Sequence, residues 1–205
     1  MQHHPWLDTF DVSAILYHAK PSSTTFIIAF HKTVYYNSGM LFIVFGLPGA
    51  GKTYVGEVLK DEFGFYFYDG DRDLTDEMKK ALKEKKLFND SMRDVFFQRL
   101  INKVLQLHKT KKHLVVAQTF IKEKYRSQLL KAMPLAKFIL VQTKSVLREK
   151  RLLQRNDLDQ NYVKNMITLF EKPTLEHFKI TNDTDGKIQV IKKLEKILHK
   201  QKINY

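Results

Sequence analysis

Gly46-Leu47-Pro48-Gly49-Ala50-Gly51-Lys52-Thr53 is the feature that most constrains how this 205-residue chain can fold. It fits the pattern G-x-x-x-x-G-K-[ST] and follows an apolar run of strand length, Leu41–Phe45. A helical stretch starts at Lys52. The spacing has a physical cause. Glycines let the backbone turn so tightly that several N–H groups point inward, and these join the positive end of the following helix in binding phosphate oxygens. Lysine adds a point charge on the outer phosphates, and the threonine hydroxyl is placed to ligate Mg2+. Gly46, Gly49, Ala50, Gly51, Lys52, Thr53 and Tyr54 are therefore the expected nucleotide-binding residues. ATP is favoured over GTP, because no Asn-Lys-x-Asp guanine motif lies downstream.

From Met40 onward, strand-length apolar runs alternate with helical stretches. The expected strands are Leu41–Phe45, Phe65–Tyr68, Leu114–Ala117, Phe138–Val141 and, more weakly, Phe178–Ile180. The helical stretches are Lys52–Glu62, Thr75–Lys86, Ser91–His108, Lys122–Met133, Ser145–Arg155, Asn161–Phe170 and Asp185–Lys200. Continuous apolar strands are those buried on both faces, as in parallel sheets. Alternation of strand and helix predicts an α/β fold with right-handed crossovers.

The second strand runs into Tyr68-Asp69-Gly70-Asp71. Ligands of open parallel sheets bind at the carboxyl ends of the strands, so two carboxylates are expected beside the phosphate loop. Asp69 is assigned to the metal and Asp71 to accepting a hydroxyl proton. On spacing alone, a turn that caps the next helix is an equal reading.

At this point the chain resembles the gluconate kinases. The resemblance is carried by the loop, "FYDGD" (67–71), "LFND" (87–90) with Arg93 three residues later, "VVAQTFIKEKYR" (115–126), and "RLLQR" (151–155) followed by "FEKP" (170–173). It covers residues 40–185. It implies a three-layer α/β/α P-loop fold with a five-stranded parallel sheet and a helical lid. It also implies Mg2+-dependent transfer of the γ-phosphoryl group of ATP to a sugar acid such as gluconate or a related polyol. By the same resemblance, Asp71 contacts the acceptor hydroxyl and Arg93 pairs with a substrate carboxylate. Lys122 and Arg126 match a basic pair on the acceptor side, and Arg151 and Arg155 are lid arginines on the phosphates or adenine. For Lys122 and Arg126, solvent-facing helix charge is an equal reading. Arg151 also stands as a catalytic expectation beside Lys52 and Asp71.

The chain departs from the family pattern in three places. Arg72-Asp73-Leu74-Thr75 stands where the family has Leu-His-Pro, Asn156–Gln160 replaces a Gly-His-Phe segment, and Gln118-Thr119-Phe120-Ile121 replaces Cys-Ser-Ala-Leu. The first two lie on the acceptor or lid side, the pattern expected of a kinase with a changed acceptor.

Composition bounds the rest. There are no cysteines, which excludes thiolate metal sites and disulfides. No apolar run approaches the length of a membrane span, and a cytoplasmic location is expected. The net charge is +13. Residues 1–39 contribute none of it, since Lys20 and Lys32 balance Asp8 and Asp11. They read as an N-terminal extension outside a kinase domain spanning 40–205. The excess lysines are scattered, which favours solvated helix faces over a nucleic-acid footprint. A small, hydroxylated, anionic substrate beside ATP is the favoured partner, and a homodimer is one assembly the resemblance admits. The competing readings are a nucleic-acid 5′-hydroxyl or nucleotide kinase and, below it, a nucleotide-dependent switch without catalysis.

Overall fold

The computed structural model of the chain describes residues 39–154, 159–183 and 186–202. The expected N-terminal extension lies outside the described residues, as does Arg155. Among the described residues there are five strands: β1 Met40–Phe45, β2 Tyr66–Asp69, β3 His113–Ala117, β4 Lys137–Gln142 and β5 Phe178–Thr181. The helices are α1 Lys52–Phe63, α2 Asp76–Lys83, α3 Asp90–Thr110, α4 Glu123–Ala132, α5 Ser145–Leu153, α6 Gln160–Leu169 and α7 Lys187–Lys202. A single 3₁₀ turn, Gly70–Asp73, follows β2. Each expected element is present, with ends shifted by at most three residues.

All pairings are parallel, in the order β2-β3-β1-β4-β5. Phe42, Ile43, Val44 and Phe45 of the central strand are at most 1% exposed, as expected of a strand covered on both faces. Alternate residues Leu41, Ile43 and Phe45 join a core with Leu100, Val104 and Leu129 of α3 and α4. Phe42 points the other way and packs its ring on Phe65, 5.4 Å between centroids, on the side where α1 and α7 touch. Burying side chains of this size contributes about 2–3 kcal/mol each. β3 and β4 flank β1 and carry the chain to opposite sides of it. That switch point is where such sheets bind ligands, and the loop after β1 opens there.

Local signals set the helix ends. Thr75, Asn89 and Asp159 accept backbone N–H bonds in the first turns of α2, α3 and α6. α1 differs: Gly51 precedes it in the left-handed region (φ 94°), without a side-chain cap. Its opening amides are therefore unanswered by any cap. α1 ends on Gly64 (φ 73°), with Gly64 N–H and Phe65 N–H donating to Lys60 and Leu59 carbonyls, a Schellman-type closure. Inside α1, Gly56 faces the ring of Phe67 on β2. A Cβ there would lie 2.4 Å from a ring carbon.

Candidate active site

One cavity of about 350 Å³ opens over the carboxyl edge of β1, β2 and β3. Pro48, Gly49, Lys52 and Thr53 form one wall, and Asp69, Asp71, Arg93, Gln118, Thr119 and Tyr162 face it among apolar side chains. The phosphate side is built from backbone. A Cβ on Gly46 would sit 2.3 Å from the Val141 carbonyl oxygen, and one on Gly51 would sit 2.1 Å from Asn182 Nδ2. Asn182, 3% exposed, donates to the Ala50 carbonyl at 3.1 Å. Lys52 Nζ donates to the Leu47 carbonyl at 3.1 Å, so its ammonium is folded back over the loop. Tyr54 is one residue further into α1, with its ring exposed.

The paired aspartates divide. Asp69 Oδ1 accepts the Asp71 N–H at 3.0 Å and so caps the 3₁₀ turn. The capping reading is thus correct for Asp69, and its carboxylate still lines the cavity. Burial pushes the Asp69 carboxyl above its usual range, against the Asp71 N–H bond that pulls it down. Asp71 Oδ1 accepts from Gln118 Nε2 at 2.9 Å. Gln118 Oε1 accepts the Thr119 N–H at 2.6 Å, which fixes the amide orientation. Gln118 is a cavity-lining residue that sequence reasoning registered only as a departure from a pattern.

The three acceptor-side cations have three different fates. Arg93, in the second turn of α3, lines the cavity and is 5% exposed. Its Nη1 reaches Asp90 Oδ1 at 3.5 Å, and its Nη2 has no hydrogen-bond partner among the described residues. Lys122 is spent on Asp90, at 2.7 and 2.9 Å, and does not line the cavity. Arg126 corrects the expectation of a substrate contact. It is fully buried, with Nε on Glu123, Nη1 on the Phe120 carbonyl and Nη2 on the Glu171 carbonyl. Its guanidinium lies 5.5 Å from the Phe45 ring centre and 5.6 Å from that of Phe170. With every nitrogen engaged and no solvent path, it braces the site from behind. It holds the carbonyl of Phe120, a bulky residue at the strained φ of 42° that directly follows Gln118 and Thr119.

The lid helix α5 meets the phosphate loop. Arg151 Nη2 donates to the Asn182 carbonyl at 3.2 Å, and Nη1 lies 3.5 Å from the Gly49 carbonyl. Arg155 lies outside the described residues. From α6, Tyr162 closes the acceptor side. Burial raises its hydroxyl pKa far above the ordinary value, and the Asp71 charge adds to the rise while Arg93 opposes it. No spacing signal pointed to Tyr162.

The residues fit Mg2+ and ATP. Thr53 and Asp69 line the same cavity, and a half-buried carboxylate with a raised pKa is one that a cation would relieve. Among the described residues no cluster of three or more His, Cys, Asp or Glu could hold a metal alone. Mg2+ is ordinarily held through one or two carboxylates together with substrate phosphates. The uncapped amides of α1 suit a phosphate.

A family model described as "AAA domain" matches residues 41–173. A curated relative, "Probable gluconokinase" from Xenopus tropicalis, is 32% identical over 91 residues, 44% of this chain. The matched part spans 48% of that relative's length. Among solved structures, a sugar kinase from Janibacter sp. HTCC2649 superposes with TM-score 0.69 at 18% identity, covering 78% of this chain and 95% of that one. A gluconokinase from Sinorhizobium meliloti 1021 gives 0.67 at 18% identity (81% and 97%). A shikimate kinase from Acinetobacter baumannii, solved with shikimate, gives 0.61 at 17% identity (82% and 98%). At these identities the structures establish a shared fold, that of the small P-loop kinases. Among the described residues no helix is long and apolar enough to cross a membrane.

Proposed function

We infer that this chain, which belongs to the AAA domain family of P-loop proteins, is a kinase that transfers the γ-phosphoryl group of ATP to a hydroxyl of a small anionic acceptor. The observation that carries this reading is the convergence of Lys52, Thr53, Asp71 and Arg93 on one cavity. A nucleotide switch needs the first two. The Asp71 carboxylate and the buried Arg93 guanidinium, lining the same cavity, favour transfer to an acceptor.

The geometry supports the following division of labour. Amides of residues 49–53 and the Lys52 ammonium hold the phosphates and neutralise charge that grows on their oxygens during transfer. Arg151, already lodged against the loop through Gly49 and Asn182, adds charge on the nucleotide side. Gln118 grips Asp71 Oδ1, which leaves Oδ2 to take the proton of the attacking hydroxyl. Arg93 Nη2 receives the acceptor's anionic group. Mg2+, held by Thr53 and Asp69, would shield the phosphate charge when bound. Sugar acids such as gluconate, and related polyols, are the acceptor class that the resemblance and the Xenopus relative bring to this site.

The test is phosphorylated product, followed by phosphorus NMR, from ATP, Mg2+ and a panel of sugar acids and polyols. Asp71→Asn should cut turnover about 10²–10⁴-fold and change ATP affinity less than about threefold. Undiminished transfer in Asp71→Asn would remove the carboxylate from the mechanism.

A further inference from the structure

We propose a second anion site, separate from the active cavity, that takes a phosphate group, free or esterified. It goes beyond the kinase reading and does not depend on it. A cavity of about 420 Å³ is bordered by Leu47 and Ala50 of the phosphate loop, the end of β4, Arg148 of α5 and the segment from Phe170 to Lys179 that enters β5. It shares no lining residue with the active cavity.

The charge of this second lining is one-sided. Of its twelve residues, four are basic (Arg148, Lys172, His177 and Lys179), two are neutral and polar, six are apolar and none is acidic. Among the described residues, the side chains of Arg148, Lys172 and Lys179 make no hydrogen bond or ion pair. Like charges gathered round one cavity repel, and an anion between them turns that repulsion into attraction. Glu171 and Glu176 flank the cavity in sequence but do not line it, and the Glu171 carboxylate accepts the Glu123 N–H at 2.7 Å.

Two nitrogens of the lining are also buried and unmet. Arg148 Nε and His177 Nε2 have no hydrogen-bond partner among the described residues. The stem of Arg148 is held against the phosphate loop, since a Cβ on Gly49 would lie 2.9 Å from Arg148 Cγ. His177 Nδ1 lies 2.7 Å from the Leu175 carbonyl oxygen and therefore donates to it, which leaves Nε2 as the ring's other polar position. Buried polar atoms without partners are costly. A phosphate group answers all of these groups together. Its three or four oxygens can meet a guanidinium, two ammoniums and an imidazole at once, and a P–OH can donate to a neutral Nε2. A carboxylate, with two oxygens and one charge, cannot.

The probes are inorganic phosphate, glycerol 3-phosphate and acetate. Each is titrated by calorimetry at constant ionic strength into the full chain saturated with Mg2+ and a non-hydrolysable ATP analogue, so that the phosphate loop is already filled. At least one of the two phosphates should bind with a Kd of about 1 mM or tighter, and acetate at least about tenfold more weakly. The tighter phosphate tells whether the site takes the free or the esterified form. Lys172 and Lys179 are both exposed, so the double variant Lys172→Gln/Lys179→Gln should fold. It should weaken phosphate binding at least about tenfold and leave affinity for the ATP analogue within about twofold. If it does not fold, Arg148→Leu replaces it with the same expectation for phosphate. Arg93→Met should leave phosphate binding unchanged. No binding of either phosphate overturns the proposal, as does acetate binding as tightly. Phosphate binding that survives loss of the two lysines but not of Arg93 puts the anion in the active cavity and also overturns it.

Discussion

The two walls of the cavity are made of different material. On the wall proposed to hold the nucleotide, the groups that would act are main-chain amides of one continuous loop and the first turn of α1. On the wall proposed for the acceptor they are side chains drawn from β2 and the turn after it, α3, the segment after β3 and α6, which are far apart in the chain. The first wall fails when something is added to it, because its glycines leave no room for a Cβ. The second fails when something is taken away, because each side chain is held by another. Backbone sites are thus fixed by exclusion and side-chain sites by mutual support.

Three substitutions probe that contrast, in decreasing size of effect. Gly51→Ala adds one methyl group where Asn182 stands 2.1 Å away, at φ 94°. It should weaken ATP binding about 100-fold or more, given strain of about 1–3 kcal/mol added to the steric clash, read by calorimetry. Acid binding to the opposite wall should survive, and its loss would show that the walls are not independent. Arg126→Met removes the brace behind the acceptor wall. It should cost about 3 kcal/mol of stability, since Glu123 and two carbonyls lose a buried partner, measured by urea unfolding. An unchanged midpoint would mean that the brace is replaceable.

Glu123→Gln should have the smallest effect, present at neutral pH and fading in acid. Burial alone would push the Glu123 carboxyl up, but bonds from Thr174 and Arg126 outweigh it and hold it below the ordinary 4.5. A lowered carboxyl stabilises the fold fully above the ordinary value. That contribution is lost as pH falls below about 4.5 through the lowered value. The variant should therefore lose less stability than the wild type between pH 6 and pH 3. A steeper acid loss in the variant would assign the dependence to other groups.

The same contrast governs what could be read from sequence. Residues 46–53 were legible because a backbone cradle is written in consecutive letters, and the five strands because burial on both faces leaves uninterrupted apolar runs. Asp69 and Asp71 were legible as a pair, but their division of roles was not: one caps a 3₁₀ turn that no periodicity announced. Lys122 and Arg126 looked alike as two cations four apart after a strand. Only packing separates them, since Arg126 falls beside Tyr125 on the buried face of α4 and Lys122 precedes the helix at its exposed start. The Glu123–Arg126 spacing of i,i+3 was the available hint of an internal pair. Gln118 and Tyr162 act through partners 47 residues away and more, distances at which no local pattern operates.

Gly56 has a consequence for the reaction itself. A glycine inside an exposed helix costs about 1 kcal/mol relative to alanine, yet here the Phe67 ring occupies the space a side chain would need. The contact sets how closely α1, which presents Lys52 and Thr53, lies against β2, which ends at the aspartates. In-line displacement depends on the separation of donor phosphorus and acceptor oxygen, and a misplacement of about 1 Å can cost about 100-fold in rate. The missing methyl group of Gly56 is a spacer of zero thickness, and lengthening it would put the two reactants out of step while leaving each binding site intact.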